Sequence, residues 1–421
     1  MPSLLLSPAQ RFTCARCGRC CHRTTLSVTD GEAEAYRQSG AARWFDEGDG
    51  DPAGAARDPF EPIPGHTPLL RIRKRLDGAC GFLTREGRCR IHEMLGADRK
   101  PLACRVFPFS FRPAEGDVLV SASFACPTVI ANQGATLPSQ RGELHAVHVA
   151  WTRAFPEPVA GIELVRGHPV SRAGLARLRT LLVLMIDRPD RHHPDGRPDL
   201  RANLRRIAAL VEDWSRRRVL RLAPDSLVEY LDLTGTYALA SEKPAPARPP
   251  SRLARLLFRG FLLAVLSLQA RLDPIRGRRR LALGVTVVRL LAHLHGLGPA
   301  SAGFDLRRAM RIPLDLDDPS VHAIVHRHLR AGFEALGATR RPVLDEIAMR
   351  VAHLNAACAV AAMHAAAAGK QAVDAESLTQ GLLASGDLSH ADAGGRISAL
   401  LTTFAGGVEA LYLFPPFAPE V

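Results

Sequence analysis

Closely spaced cysteines near the start of the chain are its best candidates for chemistry. Cys14, Cys17 and Cys20 are separated by two residues each, and Cys21 follows directly. Two successive two-residue spacers let one short loop point three sulfur atoms at one centre, as three corners of a four-iron cluster require. A zinc site needs only one such pair, so the spacing serves either metal. We therefore predict that this loop binds metal, with Gly18 in a left-handed turn between the cysteines.

Four later cysteines extend the candidate set of metal ligands. They are Cys80, Cys89, Cys104 and Cys126. We expect short hairpins and turns to return them to the first loop. Eight thiols allow two four-thiolate centres, or one centre with spare redox-active thiols, and the spacing does not choose between these arrangements. His22 and His92 lie close to cysteines in the sequence and are secondary candidates for nitrogen ligands.

The distribution of cysteines also indicates the redox compartment. Eight of the nine cysteines lie within the first 126 residues, and Cys358 is expected to be a small core residue. The first apolar stretch, residues 4–6, is too short for the core of a signal peptide, so we expect a cytoplasmic protein. In a reducing compartment, clustered cysteines are typical of metal or redox sites rather than of structural disulfides.

Basic residues exceed acidic residues by 55 to 42, which gives a net charge of +13. Only four of the basic residues are lysines, namely Lys74, Lys100, Lys243 and Lys370. This arginine bias accompanies many Ala, Gly and Pro residues, as in GC-rich coding sequences, so the charge alone is a weak sign of nucleic-acid binding. The arginines near the cysteines either offset thiolate charge or reflect the general excess. They are Arg16, Arg19, Arg23, Arg88, Arg90 and Arg105.

The succession of short and long elements predicts an α+β chain with two unlike parts. Residues 1–135 are expected to form a small cysteine-rich metal-binding domain with short β-hairpins. A larger all-α region is expected to follow, consisting of residues 136–240 and 251–421. Four prolines between residues 241 and 250 predict a linker that separates these two helical segments.

Local patterns place elements within these parts. Thr29 and Glu32 fit a capping box that starts a helix. Alternating apolar and basic residues predict a strand over 69–75, and turn residues predict two hairpins. The hairpin arms are 80–83 with 89–92, and 106–111 with 118–124. Apolar residues at helical spacing predict helices over 144–155, 172–186, 200–222, 252–272, 281–295, 321–336 and 343–368.

Neither of two apolar stretches is expected to cross a membrane. Residues 260–270 are too few to span the hydrocarbon layer of a bilayer. Residues 351–369 are numerous enough, but they include His353, Asn355 and His364, which are costly to place in hydrocarbon. We therefore expect 351–369 to form an Ala-rich helix in the protein core.

Weaker motifs occur in the helical region. His322 and His326 share one helix face and His328 lies nearby, but no third ligand follows from the same pattern, so a polar helix face is favoured over a metal site. Arginine runs at 216–218 and 276–280 could contact phosphate groups. Aromatic residues make up only 5% of the chain, which leaves few stacking partners for nucleic-acid bases.

The cysteine motifs resemble those of the YkgJ-type, or CxxCxxCC, cysteine-cluster family. The resemblance is carried by residues 12–21, 80–83, 87–92 and 99–108, and it extends over residues 12–127. Members are zinc- or iron-chelating proteins without an assigned activity. The resemblance implies that all eight early cysteines are candidate ligands of Zn²⁺ or of a [4Fe–4S] cluster. One departure is Lys100, where the family pattern has an arginine before the proline.

Two alternatives to a plain metal-binding function stay open. Bacterial flagellin lysine N-methylases carry a related cysteine cluster on chains of similar length with long helical remainders. That more distant resemblance implies a methyltransferase that uses S-adenosylmethionine and a protein substrate, although no motif after residue 136 matches. The second alternative, a zinc-ordered module that binds nucleic acid, is the least favoured of the three functions. No catalytic residue is predicted under any of the three.

Overall fold

A computed structural model gives the three-dimensional arrangement of most of the chain. It describes residues 2–23, 27–45, 58–63, 69–75, 77–114, 116–155, 161–242, 312–337 and 341–389. The helices predicted over 252–272 and 281–295, and residues 243–250 of the predicted linker, lie outside the described residues.

The amino-terminal part consists of short strands and short helices, as the sequence predicts. In chain order these are β1 (Leu4–Leu6), α1 (Arg19–Arg23), β2 (Ser27–Val28), α2 (Asp30–Gln38), β3 (Phe60–Pro62), β4 (Leu70–Ile72), α3 (Arg90–Leu95), α4 (Leu102–Val106), β5 (Phe109–Ala114), β6 (Asp117–Ala122) and α5 (Pro127–Ile130). One sheet has the strand order β1–β6–β5, with β1 parallel to β6 and β5 antiparallel to it. The other sheet has the order β2–β4–β3 and is antiparallel throughout.

Helix α2 starts where the capping box predicts. The hydroxyl of Thr29 accepts a hydrogen bond from the Glu32 backbone N–H at 3.2 Å, and the Glu32 carboxylate accepts one from the Thr29 N–H at 3.0 Å. Two backbone donors of the first turn, which no helical carbonyl can reach, are thereby satisfied. The other Glu32 oxygen accepts the backbone N–H of Leu102 at 2.8 Å, so this helix also holds the start of α4.

One predicted hairpin is confirmed with shifted ends, and the other is wrong in its second arm. Strands β5 and β6 pair from Phe109 with Ala122 to Ala114 with Asp117. The strand predicted over 89–92 is a helix instead, because only Leu83 and Cys89 pair before α3 begins. Ile91 and Leu95 are four residues apart, so a helix buries both on one face against the cysteine-bearing core.

Helices dominate the described residues after position 136. They are α6 (Arg141–Ala154), α7 (Arg172–Ile186), α8 (Leu200–Trp214), α9 (Arg217–Leu220), α10 (Pro224–Ala240), α11 (Pro319–Glu334), α12 (Val343–Ala367) and α13 (Ala375–Ser389). The helix predicted over 200–222 is divided between α8 and α9, and the sequence reading missed α10 and α13. A small antiparallel pair, β7 (Glu163–Val165) and β8 (His168–Pro169), interrupts the helices.

The long helix α12 lies in the protein core, as predicted for 351–369 because its polar residues disfavour a location in a membrane. Asn355 and Cys358 are buried along it, and α13 packs against it closely. A side-chain carbon at Gly381 would lie 2.0 Å from the carbonyl oxygen of Ala357, so only glycine permits this approach. Among the helices that the structure describes, none is both long and apolar enough to cross a membrane.

Two large hydrophobic cores and one small cluster of Ala114, Leu119 and Ala335 organise the described residues. The smaller core contains Val28, Phe60, Ile72, Phe82 and Ile91, and it supports four of the cysteines. The larger core joins side chains of the β1–β6–β5 sheet to the helices. Its members include Phe12, Val120, Phe124, Leu144, Leu178, Trp214 and Ile347. The larger core therefore crosses the predicted boundary at residue 135, because one face of that sheet is buried against the helices. The domain limits themselves stay a prediction.

Candidate metal centre

The loop that carries the first cysteines is held by the segment just after residue 130. The Phe12 backbone N–H donates to the carbonyl oxygen of Ala135 at 2.9 Å, and the Gln140 amide donates to the Phe12 carbonyl at 2.9 Å. Thr13 lies directly on Gly134, where a side-chain carbon would come within 2.4 Å of the Thr13 Oγ1. These contacts fix where the cysteine loop begins.

The loop then turns through left-handed backbone conformations. Gly18 has a φ of +70°, as predicted, and Arg16 has a φ of +55°. A side chain at Gly18 would also approach the carbonyl oxygen of Gly87 to 3.2 Å. The turn leaves Cys14 and Cys17 exposed on the loop. It also starts helix α1, which carries Cys20 and Cys21 in a half-buried position.

An inner cavity of about 20 Å³ lies beneath α1. Its walls combine five thiols from four segments with apolar side chains that include Ile72, Phe82 and Ile91. The thiols are those of Cys20, Cys21, Cys80, Cys89 and Cys104. Lys100 is the one charged side chain among the described residues that line this cavity. Sulfur ligands in an apolar surround are a setting in which zinc and iron–sulfur centres are found.

An outer cavity of about 170 Å³ adjoins the inner one. Cys14, Cys17 and Cys126 line only the outer cavity, whereas Cys80 lines only the inner one. The remaining four cysteines border both. Four of the arginines near the cysteines also line the outer cavity, namely Arg16, Arg19, Arg88 and Arg105. The structure thus brings all eight predicted cysteines to two neighbouring spaces.

Short elements position the later cysteines. Cys89 and Cys126 each precede a short helix, as the residues before α3 and α5. Cys104 lies within α4. Cys80 pairs with Lys74 in an antiparallel bridge and donates its backbone N–H to the carbonyl oxygen of Cys21 at 2.8 Å. Cysteines that are distant in sequence are therefore brought together by backbone pairing.

The thiols differ in how readily they lose a proton. A hydrogen bond with the Cys21 thiol lowers the pKa of Cys20 to about 6, whereas the same bond and burial raise the pKa of Cys21. Burial raises the pKa of Cys80, and it also raises the pKa of Cys104 and of Cys126. Since metals bind thiolates, ligation by the buried cysteines must displace their protons.

The cations that act on the inner thiols are two lysines. Lys74 donates from Nζ to the carbonyl oxygen of Cys21 at 2.6 Å, and burial lowers its pKa. Burial also opposes the charge of Lys100, but the surrounding thiols, Cys104 first, raise its pKa. From the sequence we considered only arginines for this role. The scarcity of lysine could have indicated these residues, because two of the only four lysines in the chain lie beside the cysteines.

The candidate metal ligands do not converge on one point in this structure. Within the described ranges, no three His, Cys, Asp or Glu side chains stand close enough to hold a metal ion as they are. All nine cysteines, each of them in a described range, are free thiols. His92 lines the outer cavity, whereas His22 lines neither cavity. The donor set therefore fits zinc or iron by its chemistry and its shared location, and ligation requires the thiols to move inward.

The histidines and arginines of the helical region have local roles. His322 contacts the carbonyl oxygen of Pro198 at 2.8 Å, and His326 contacts Asp187 at 2.8 Å. His328 packs its ring edge-on against Phe124. In the arginine run at 216–218, Arg216 pairs with Asp213 at 3.6 Å. The run at 276–280 lies outside the described residues.

Comparison with known proteins bears on the cysteine-bearing part alone. Residues 13–127, about a quarter of the chain, match the CxxCxxCC family, described as a "putative zinc- or iron-chelating domain". No curated protein and no solved structure matches the chain. The methyltransferase and nucleic-acid alternatives therefore stay predictions. By this match, the amino-terminal part of the chain is similar to the CxxCxxCC family.

Proposed function

We propose that this protein binds zinc or an iron–sulfur cluster through its amino-terminal cysteines. One observation carries the proposal, namely that eight thiols from five separate segments border two adjoining cavities. The proposed ligands are Cys14, Cys17, Cys20, Cys21, Cys80, Cys89, Cys104 and Cys126. A cytoplasmic location accords with this use, because a reducing compartment keeps thiols free for metal.

The volumes of the two cavities separate the two metal forms. The inner cavity, at about 20 Å³, holds a body no larger than a water molecule. A single Zn²⁺ ion fits there once the surrounding thiols close on it. A cluster of four irons and four sulfides needs more space, which the outer cavity of about 170 Å³ supplies. The loop cysteines Cys14, Cys17 and Cys20 all border that larger space.

Metal binding at this site requires the thiols to lose their protons. Cys20, with its lowered pKa, is expected to lose its proton more readily than Cys80 and Cys104, whose pKa values burial raises and whose protons metal must replace. A bound metal would join the five cysteine segments, and an iron–sulfur cluster would also exchange electrons. Since Cys80 belongs to the smaller core and Cys21, Cys89 and Cys104 pack against it, we expect metal to contribute to the folding of this part.

Anaerobic purification followed by metal and sulfide analysis tests the proposal. Stoichiometric iron with labile sulfide and a broad absorption band near ~400 nm would identify a cluster. Colourless protein with stoichiometric zinc would identify a zinc site. A Cys20→Ser, Cys104→Ser double variant, which changes two cysteines that border both cavities, should lose metal in either case. Cys358→Ser, which changes a cysteine outside both cavities, should retain it. Wild-type protein that holds neither iron nor zinc would refute the proposal.

A further inference from the structure

We propose that Lys74 and Lys100 are positioning residues of the metal centre, which supply fixed positive charge beside the thiolates without ligating the metal. The inference rests on the proposed function and adds to it the groups that balance the charge of the site. Its basis is the placement of these two lysines, which are half of all the lysines in the chain.

Lys74 is held in place at its backbone and at its amino group. Its backbone pairs with Cys80 in an antiparallel bridge, so the two side chains are cross-strand neighbours. Its Nζ reaches across to helix α1 and donates to the carbonyl oxygen of Cys21 at 2.6 Å. That carbonyl also accepts the Cys80 backbone N–H, at 2.8 Å. The ammonium group is therefore anchored between two cysteine-bearing segments.

Lys100 lies where the two cavities meet, because it lines both. Contacts with helix α2 fix the backbone before and after Lys100 in the sequence. The Tyr36 hydroxyl donates to the carbonyl oxygen of Arg99, and the Glu32 carboxylate accepts the backbone N–H of Leu102 at 2.8 Å. Cys104 follows four residues later and borders the same two cavities. Metal held in either cavity would thus lie beside this ammonium group.

Two of the neighbouring arginines are engaged elsewhere. Arg90 donates to the carbonyl oxygen of Trp44 at 2.7 Å. Arg88 pairs with Glu93 at 3.2 Å, and its side chain is 61% exposed. Exposed charges are screened by solvent, whereas a charge with apolar neighbours is screened much less. Among the described residues that line the inner cavity, this leaves Lys100 as the charged group.

The charges balance for a four-thiolate centre. Four thiolates around Zn²⁺, or around an oxidised four-iron cluster, carry about two negative charges. Beside the inner thiols, the two ammonium groups of Lys74 and Lys100 match that charge, whereas Arg16, Arg19 and Arg105 also line the outer cavity. An uncompensated charge is costly in a partly buried site, so loss of either lysine should weaken metal retention while leaving every thiol in place. Replacing a group that supports a metal ligand typically weakens metal affinity by about 10- to 100-fold.

Zinc competition measures this contribution directly. Apo protein, with Zn²⁺ alone as the probe, is titrated against a chromophoric chelator for the wild type and for K74M and K100M. We expect each substitution to weaken zinc binding by about 10- to 100-fold. The matched control is K370M, which removes a lysine that pairs with Asp374 at 2.6 Å in the helical region and should leave zinc affinity unchanged.

Charge-conserving variants distinguish charge from shape. K74R and K100R keep a cation and should retain zinc more tightly than the methionine variants by at least about fivefold, given the 10- to 100-fold range above. Two results would overturn the role of the lysines but not the proposed function. One is arginine variants that bind zinc as weakly as the methionine variants. The other is methionine variants that bind zinc as tightly as the wild type. A wild type that binds neither zinc nor iron would overturn the proposed function and this inference with it. If the wild type binds iron alone, the same variants are compared by their iron content after anaerobic purification, with the same expected order.

Discussion

Arg112 on β5 forms an ion pair with Glu346 on α12, and this contact joins the sheet of the amino-terminal part to the longest described helix. Arg350 also donates to the same Glu346 carboxylate oxygen, at 2.7 Å. The Glu346 side chain is only 10% exposed. Burial opposes its ionisation, but the two guanidinium groups outweigh burial and lower the pKa of Glu346. The carboxylate therefore stays charged in the interior and holds two cations in place.

Replacing Glu346 should destabilise the whole described fold. E346Q removes the negative charge and leaves two partly buried arginines without it, which costs about 3–5 kcal/mol of unfolding free energy. Urea unfolding, followed by circular dichroism, measures the change. E376Q is the control, because Glu376 pairs with Lys370 at 3.1 Å with a side chain that is 79% exposed. Equal stabilities of E346Q and E376Q would contradict a structural role for the ion pair.

Two histidines of the helical core should make stability depend on pH. Burial lowers the pKa of His328 to about 3 and that of His353 to about 4, from an ordinary value of 6.5. Between pH 4 and 6.5 the unfolded chain binds protons that the folded chain refuses, so stability rises with pH in this window. Acidification below pH 6.5 should lower the unfolding free energy by at most about 1.4 kcal/mol per pH unit for each histidine.

Denaturant unfolding at pH 5 and pH 7 checks the histidine prediction. H328Q and H353Q should each reduce the difference in stability between the two pH values. The control is H192Q, since His192 lies in an exposed turn and its backbone N–H contacts Asp190. If H328Q and H353Q keep the pH dependence of the wild type, these histidines do not produce it.

For a cluster in the outer cavity, Cys14, Cys17 and Cys20 should each be necessary for full metal content. C14S, C17S and C20S remove one thiol apiece from the outer cavity, where a four-iron cluster would need all three. We expect each variant to lose at least about half of its metal, measured by elemental analysis after anaerobic purification. C358A serves as the control, because Cys358 is buried in α12 away from both cavities. Full metal retention in any of the three variants would exclude that cysteine as a ligand.

The junction between Thr13 and Gly134 should tolerate no side chain. G134A places a carbon 2.5 Å from the Thr13 backbone nitrogen and imposes a φ of +102° on alanine. We expect a loss of about 1–3 kcal/mol in unfolding free energy, together with weaker metal binding by the displaced loop. G142A is the matched control, because a carbon at Gly142 in α6 meets no atom within 4 Å. It should stabilise the helix by about 0.5–1 kcal/mol, and a similar gain in G134A would show that the loop adapts freely.

Local sequence patterns predicted much of the secondary structure. The capping box at Thr29 marks the start of α2, and apolar periodicity matches α7 over Arg172–Ile186. These features depend on residues within a few positions of each other, so the sequence displays them directly. The strand predicted over 89–92 failed because short apolar segments suit either a strand or a helix. There, packing of Ile91 and Leu95 on one core decided in favour of the helix.

The candidate chemistry of the site follows from the amino-acid sequence, because eight cysteines with characteristic spacing can be recognised there. The folded structure shows in addition which cysteines share which cavity and which cations lie beside them. Lys74 is 53 residues from Cys21, and their contact exists because β4 leads into a backbone bridge opposite α1. Such pairing depends on the packing of whole elements against a common core. The spacing of residues along the chain does not reveal such contacts between elements that are distant in sequence.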